Sequence, residues 1–115
     1  MKYALFLYDS EDFESLPETE QMEIVGQYQA YSLMLEKAGA FVSGEPLEHS
    51  SASRTLKASG AVEDGPYADT REQLGGLYII EAASLDDAVE WARKCPTHLH
   101  GGQVEVRPIP NYTGD

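Results

Sequence analysis

The chain has 115 residues, 42% of them apolar and 24% charged, and its 20 acids against 8 bases give a formal net charge of −12. That length predicts a single domain over residues 1–115. The acidity excludes DNA and RNA, whose phosphates need a cationic surface, and anionic lipid; no apolar run approaches the ~20 residues of a membrane span.

The N-terminus has one lysine, a short apolar run and then acids. It is too short for a signal-peptide core and lacks a small-residue cleavage site, so a cytoplasmic location is expected. Cys95 is the only cysteine, which excludes an intrachain disulfide and a cysteine-based zinc site.

Lys2 to Tyr8 is a short apolar, aromatic-rich run and predicts a buried strand. Pro17 and the acids Glu18, Glu20 and Glu23 mark a helix start. Ile24, Tyr28, Tyr31, Leu35 and Ala38 then form one helical face, and Gly39 supplies the C-terminal cap. Ala40 to Leu47 predicts a second strand, with Pro46 marking an edge or a bulge. Ser53 to Glu63 predicts a hairpin turning at Ser59-Gly60.

Leu74 to Ala82 is apolar on both sides of the pleat, as a central strand should be. Ser84-Leu85-Asp86-Asp87 approximates a capping box. Leu85, Ala88, Val89, Ala92 and Cys95 trace a second helical face, which Pro96 is expected to close. Gln103 to Ile109 alternates polar and apolar residues as a last strand, and Pro108 and Pro110 release a loose tail.

This order predicts an α+β fold: a ferredoxin-like β-α-β-(hairpin)-β-α-β antiparallel sheet with both helices on one face. The opposite face has no element of this chain to cover it. Its apolar strands predict a homodimer joined sheet to sheet.

The stretch Asp64 to Gly76, DGPYADTREQLGG, resembles the signature of DGPF-domain proteins, a branch of the YCII-related family. Tyr67 stands for the usual Phe, Asp69 for Glu and Arg71 for Lys, each keeping the chemical type. Gly44-Glu45, Leu47, Thr55-Leu56-Lys57, Trp91, Pro96 and Glu105-Val106-Arg107-Pro108 extend the resemblance over essentially the whole chain. It implies a dimeric α+β barrel with one pocket per subunit. Some YCII-type relatives are linked to dehydrochlorination of a lactone, with a His-Asp pair proposed for acid-base work. Their histidine lies in the first helical region. The helix expected here over Glu18 to Ala38 contains none, so that chemistry does not transfer directly.

Asp64 fits either a turn cap at Asp64-Gly65-Pro66 or a carboxylate facing a pocket. Asp69 and Glu72 would share a face on one helical turn, with Arg71 offsetting their charge. Two such acids can split their pKa values and act as acid and base. The alternative is a solvated turn. His49, after the second strand, is a further acid-base candidate, with a surface-loop histidine as the plainer reading.

Glu81, set in an apolar run, calls for a cationic partner, and Arg107 is the candidate. Together they read as an anion-binding pair or an interface salt bridge. Tyr67 joins the ligand-binding set through its motif position. His98 and His100 form half of a metal site with no third ligand at matching spacing, so neither metal nor cofactor is expected.

Two functions follow. One is an enzyme doing acid-base chemistry on a small polar organic compound, with Asp64, Asp69 and His49 catalytic and Tyr67, Arg71, Glu72, Glu81 and Arg107 binding. The alternative is a non-catalytic ligand-binding or regulatory module, since family relatives are sometimes found with transcription sigma factors. Arg54, Lys57, Arg71 and Arg107 fall in or beside the family-like segments, which points to a small anionic ligand.

Overall fold

The computed structural model describes residues 1–113. Its strands are β1 (Lys2–Asp9), β2 (Phe41–Pro46), β3 (Arg54–Leu56), β4 (Val62–Asp64), β5 (Gln73–Glu81) and β6 (Gln103–Pro108). Its helices are α1 (Glu18–Lys37), α2 (Leu85–Arg93) and α3 (Pro96–Leu99). One antiparallel sheet has the order β2-β5-β1-β6, and β3 and β4 pair apart from it as a hairpin. The fold is α+β with an antiparallel sheet, as the alternating patterns imply. Of the expected tail, Gly114 and Asp115 lie outside the described residues.

Local chemistry sets the element ends. Glu18 and Glu20 sit in the first turn of α1, where negative charge opposes the helix dipole. Past its end, Gly39 takes φ +71°, a conformation glycine adopts without a Cβ clash. Ser84 caps α2, its hydroxyl accepting the Asp87 N–H at 3.1 Å.

The second helix does not run to Pro96. α2 stops at Arg93, and Pro96 instead opens α3. Proline's fixed φ and missing N–H suit a first helical position. His98 therefore lies in a helical turn and His100 just past it.

The core lies between the sheet and the helices. Tyr3, Leu5 and Leu7 of β1 and Tyr78 and Ile80 of β5 point one way and meet Tyr31 and Leu35 of α1, Ala88 and Ala92 of α2, and Cys95. All are buried. Burial pushes the Cys95 thiol pKa up, so the thiol stays neutral inside this layer.

The opposite face can be read from the strand register. One row runs Arg107–Ala4–Ile79–Ser43 and the next Glu105–Phe6–Leu77–Glu45. Its centre is apolar and its margins are polar or charged. No element of the described chain lies over it, as the two-helix pattern predicts.

The expected Glu81–Arg107 pair does not form. β1 lies between β5 and β6, so the two residues sit on strands that are not neighbours. Glu81 is the last residue of β5, exposed, and accepts from the N-terminal ammonium at 3.1 Å. Arg107 pairs with Glu105 two residues back on its own strand and lies over the Phe6 ring.

Candidate functional site

A cleft of about 1200 Å³ opens between α1 and one end of the sheet. Leu7, Gly44, Gly76 and Tyr78 contribute from the sheet, Ile24, Tyr28 and Ser32 from α1. The β1–α1 and β2–β3 loops border it, and Thr97 and His100 reach it from α3. The β1–β5 register shifts between Leu7 and Tyr8, beside this end of the sheet. Such bulges bend a strand and re-aim its side chains.

Tyr78 lies at the centre of the sheet side. Its ring meets Tyr31 edge-on at 5.2 Å and Phe41 at 6.4 Å between centroids. Its hydroxyl shares a hydrogen bond with Ser32 Oγ at 2.9 Å. Gly44 makes room for the ring: a Cβ there would stand 2.7 Å from Tyr78 Cε1. Tyr28 from α1 shares a 2.5 Å hydrogen bond with the buried Thr97 Oγ1. Burial pushes the Tyr28 phenol up to about 12, against a smaller lowering by Thr97, so it stays protonated at neutral pH. Next to it, Gln27 Oε1 and His100 Nε2 are 2.6 Å apart.

The two bordering loops are tied together by Glu11. Its carboxylate accepts the Ser50 N–H at 2.6 Å and the Ser50 hydroxyl at 2.5 Å, and lies 3.7 Å from His49 Nε2. Desolvation raises the carboxyl pKa, but the two Ser50 bonds and His49 outweigh it and hold it below the ordinary 4.5. Glu11 is the one non-glycine described residue in the left-handed region, at φ +49°. That conformation costs roughly 1 kcal/mol for an L residue and persists where surrounding bonds enforce it.

The His49 ring is oriented as well. Its Nδ1 accepts the Ser51 N–H at 3.2 Å and contacts Ser51 Oγ at 3.0 Å. A backbone N–H can only donate, so in the neutral ring the proton sits on Nε2, toward Glu11. The carboxylate beside His49 thus comes from a different loop.

Of the sequence candidates, His49 lines the cleft. Asp64, Tyr67, Asp69, Arg71 and Glu72 do not line it. Asp64 is exposed and pairs with Arg54 at 3.6 Å. Tyr67 is 81% exposed, with Lys57 Nζ 5.4 Å from its ring centroid. Asp69 to Glu72 form no helical turn, correcting the shared face expected for Asp69 and Glu72. Local bonds hold this strap in bends: Thr70 Oγ1 donates to Glu72 O, and Gln73 Nε2 to Ala68 O and Thr70 O. Among the described residues no group of three or more His, Cys, Asp or Glu could hold a metal ion. The bases Arg54, Lys57, Arg71 and Arg107 do not line the cleft.

Glu11, Thr97 and Ser32 were not among the sequence candidates, and Tyr28 stood only as a member of the apolar helical face. One usable signal was the pairing of Tyr28 with Gln27 and Tyr31 with Ser32. Polar neighbours on an apolar helical stripe mark the rim of a core.

The model of the YCII-related domain matches residues 1–112. An uncharacterised protein of Rhizobium meliloti (strain 1021) is 35% identical over 117 residues, covering 97% of this chain and 94% of that one. Among solved structures, the 5-chloro-2-hydroxyhydroquinone dehydrochlorinase of Burkholderia phenoliruptrix AC1100, in complex with 2,5-dihydroxybenzoquinone, has the same fold at a TM-score of 0.57. It is 20% identical, with 100% of this chain and 99% of that chain covered. By family model and by relative, the chain belongs to the YCII-related domain family.

Proposed function

We propose that this protein is a cytoplasmic homodimer that performs acid-base chemistry on a small polar organic compound bound in the cleft. The observation that carries this reading is His49, oriented through Nδ1 by Ser51 and set beside the Glu11 carboxylate at the edge of the cleft. The neutral ring carries its proton on Nε2, so His49 acts on the ligand as a hydrogen-bond donor at that atom, and the adjacent Glu11 carboxylate accepts the proton that the ligand releases. Tyr28 and Tyr78 offer neutral phenols to polar substituents of the ligand. Asp64 and Asp69, on the exposed strap, are set behind His49 as acid-base groups.

That the fold neighbour is an enzyme acting on a hydroxylated ring supports an enzymatic role in kind. The apolar rows of the open sheet face support the homodimer. A monomer in sedimentation at micromolar concentration would remove that part of the proposal. Among the described residues no helix is long and apolar enough to cross a membrane, in keeping with the proposed location.

The test is a thermal-shift screen of hydroxylated ring compounds, followed by turnover of each binder. His49→Gln should keep binding and lose at least about tenfold in turnover, the low end for general acid-base catalysis. Undiminished turnover would remove His49 from its role. Binding without turnover in the native protein would favour the non-catalytic module. A small anion is proposed separately at Arg71, which has no ion-pair partner among the described residues.

A further inference from the structure

Beside the imidazoles of His49 and His100, the charged groups around the cleft are carboxylates. Asp9, Glu11, Asp12 and Glu14 line it from the end of β1 and the loop that follows, Glu20 and Glu23 from α1. Glu48 adds to them from the loop after β2. Among the described residues no lysine or arginine lines the cavity. The chain's bases stand elsewhere, and Arg54, Lys57, Arg93 and Arg107 are each beside an acid of their own. The walls between these carboxylates include apolar groups: Leu7, Ile24, Phe41 and the rings of Tyr28 and Tyr78.

We propose, resting on the reading of this cleft as the ligand site, that it takes an organic cation: a ring-sized body bearing a protonated amine. A cavity with apolar walls and a rim of one charge focuses its field on the space it encloses and concentrates counter-charged ligands there. A carboxylate or phosphate would lose its water without meeting a lysine or arginine, which disfavours it strongly. An ammonium would exchange water for rim carboxylates, and tyrosine faces attract cations in addition. Glu11 contributes a full charge at neutral pH, because the Ser50 bonds favour its ionised form.

Three probes share a phenol ring and differ in charge: tyramine, 4-methylphenol and 4-hydroxyphenylacetate. Calorimetric titration of the whole protein at low salt should rank them in that order. Tyramine should bind at least about tenfold tighter than the carboxylate. The gap should narrow between about 20 mM and about 500 mM salt as screening shortens. The Glu20→Gln/Glu23→Gln variant should narrow it several-fold with unchanged circular dichroism.

Equal or tighter binding of 4-hydroxyphenylacetate overturns the inference, as does a gap that neither salt nor the variant moves. Binding of 4-methylphenol on a par with tyramine leaves the cleft as a ligand site and removes only its charge preference. Failure of all three to bind removes both readings.

Discussion

Glu11 carries two opposed energies, and substitution can separate them. Its carboxylate makes two short bonds to Ser50 across the mouth of the cleft. Hydrogen bonds to a charged group contribute about 1.5–3 kcal/mol each when desolvated. The Glu11 side chain is 14% exposed, and Ser50 can return to water once released. A net loss of about 2 kcal/mol for Glu11→Ala follows.

The backbone acts in the other direction. At φ +49° an alanine keeps the strain of the left-handed region, and a glycine does not. Glu11→Gly should therefore lose the same two bonds yet remain about 1 kcal/mol more stable than Glu11→Ala. For a domain of this size that separates the melting temperatures by about 4 °C. Urea unfolding of the three proteins, followed by circular dichroism, gives both differences. Alanine and glycine variants of equal stability would refute the strain argument. A wild-type midpoint shared by the alanine variant would refute the bonding argument.

Three further outcomes follow from the same geometry. Gly44→Ala should destabilise by about 1–3 kcal/mol, because its Cβ displaces the Tyr78 ring; near-ultraviolet circular dichroism of the tyrosines should change with it. The Glu11 carboxyl has a folded-state pKa below 4.5, so its contribution is complete above that value and is lost as pH falls through the folded one. The stability gap between wild type and Glu11→Gln should accordingly shrink toward acid pH in paired urea titrations. Thr97→Val keeps the buried shape, removes the Tyr28 partner and should cost about 1 kcal/mol. Since Thr97 lowers the Tyr28 phenol, an ultraviolet pH titration should move that tyrosine further up, and no movement would deny the bond its role.

Periodicity and punctuation made the sheet and both long helices legible. Leu74 to Ala82 announced β5 by being apolar on both faces, and Gly39 marked the end of α1 by the conformation it had to adopt. The hairpin was legible from the span Ser53 to Glu63 with its turn at Ser59-Gly60. Pro96 misled because proline serves a helix start as readily as a stop, and deciding between them needs the residues after it.

The site was less legible, because its contacts are not local in sequence. Glu11 meets Ser50 and His49 across 39 and 38 positions, and nothing in an acidic loop singles out the acid that is bonded. The motif at 64–76 drew notice to its charged residues, yet those residues stand on a strap away from the cleft. The Glu81–Arg107 pairing failed on strand order. Two strands can each neighbour β1 without touching one another.

Helix α1 has one further consequence. Its buried residues are Tyr31 and Leu35, both in the second half, and none lies in 18–30. What holds residues 18–30 down is the partly buried Tyr28 ring and a handful of side-chain bonds, chiefly Tyr28 to Thr97 and Gln27 to His100. One continuous helix thus spans two cooperative units. Backbone amides near Leu35 should exchange with solvent only when the whole domain unfolds. Those near Gln21 should exchange orders of magnitude sooner, and a protease attacking native protein should cut there first.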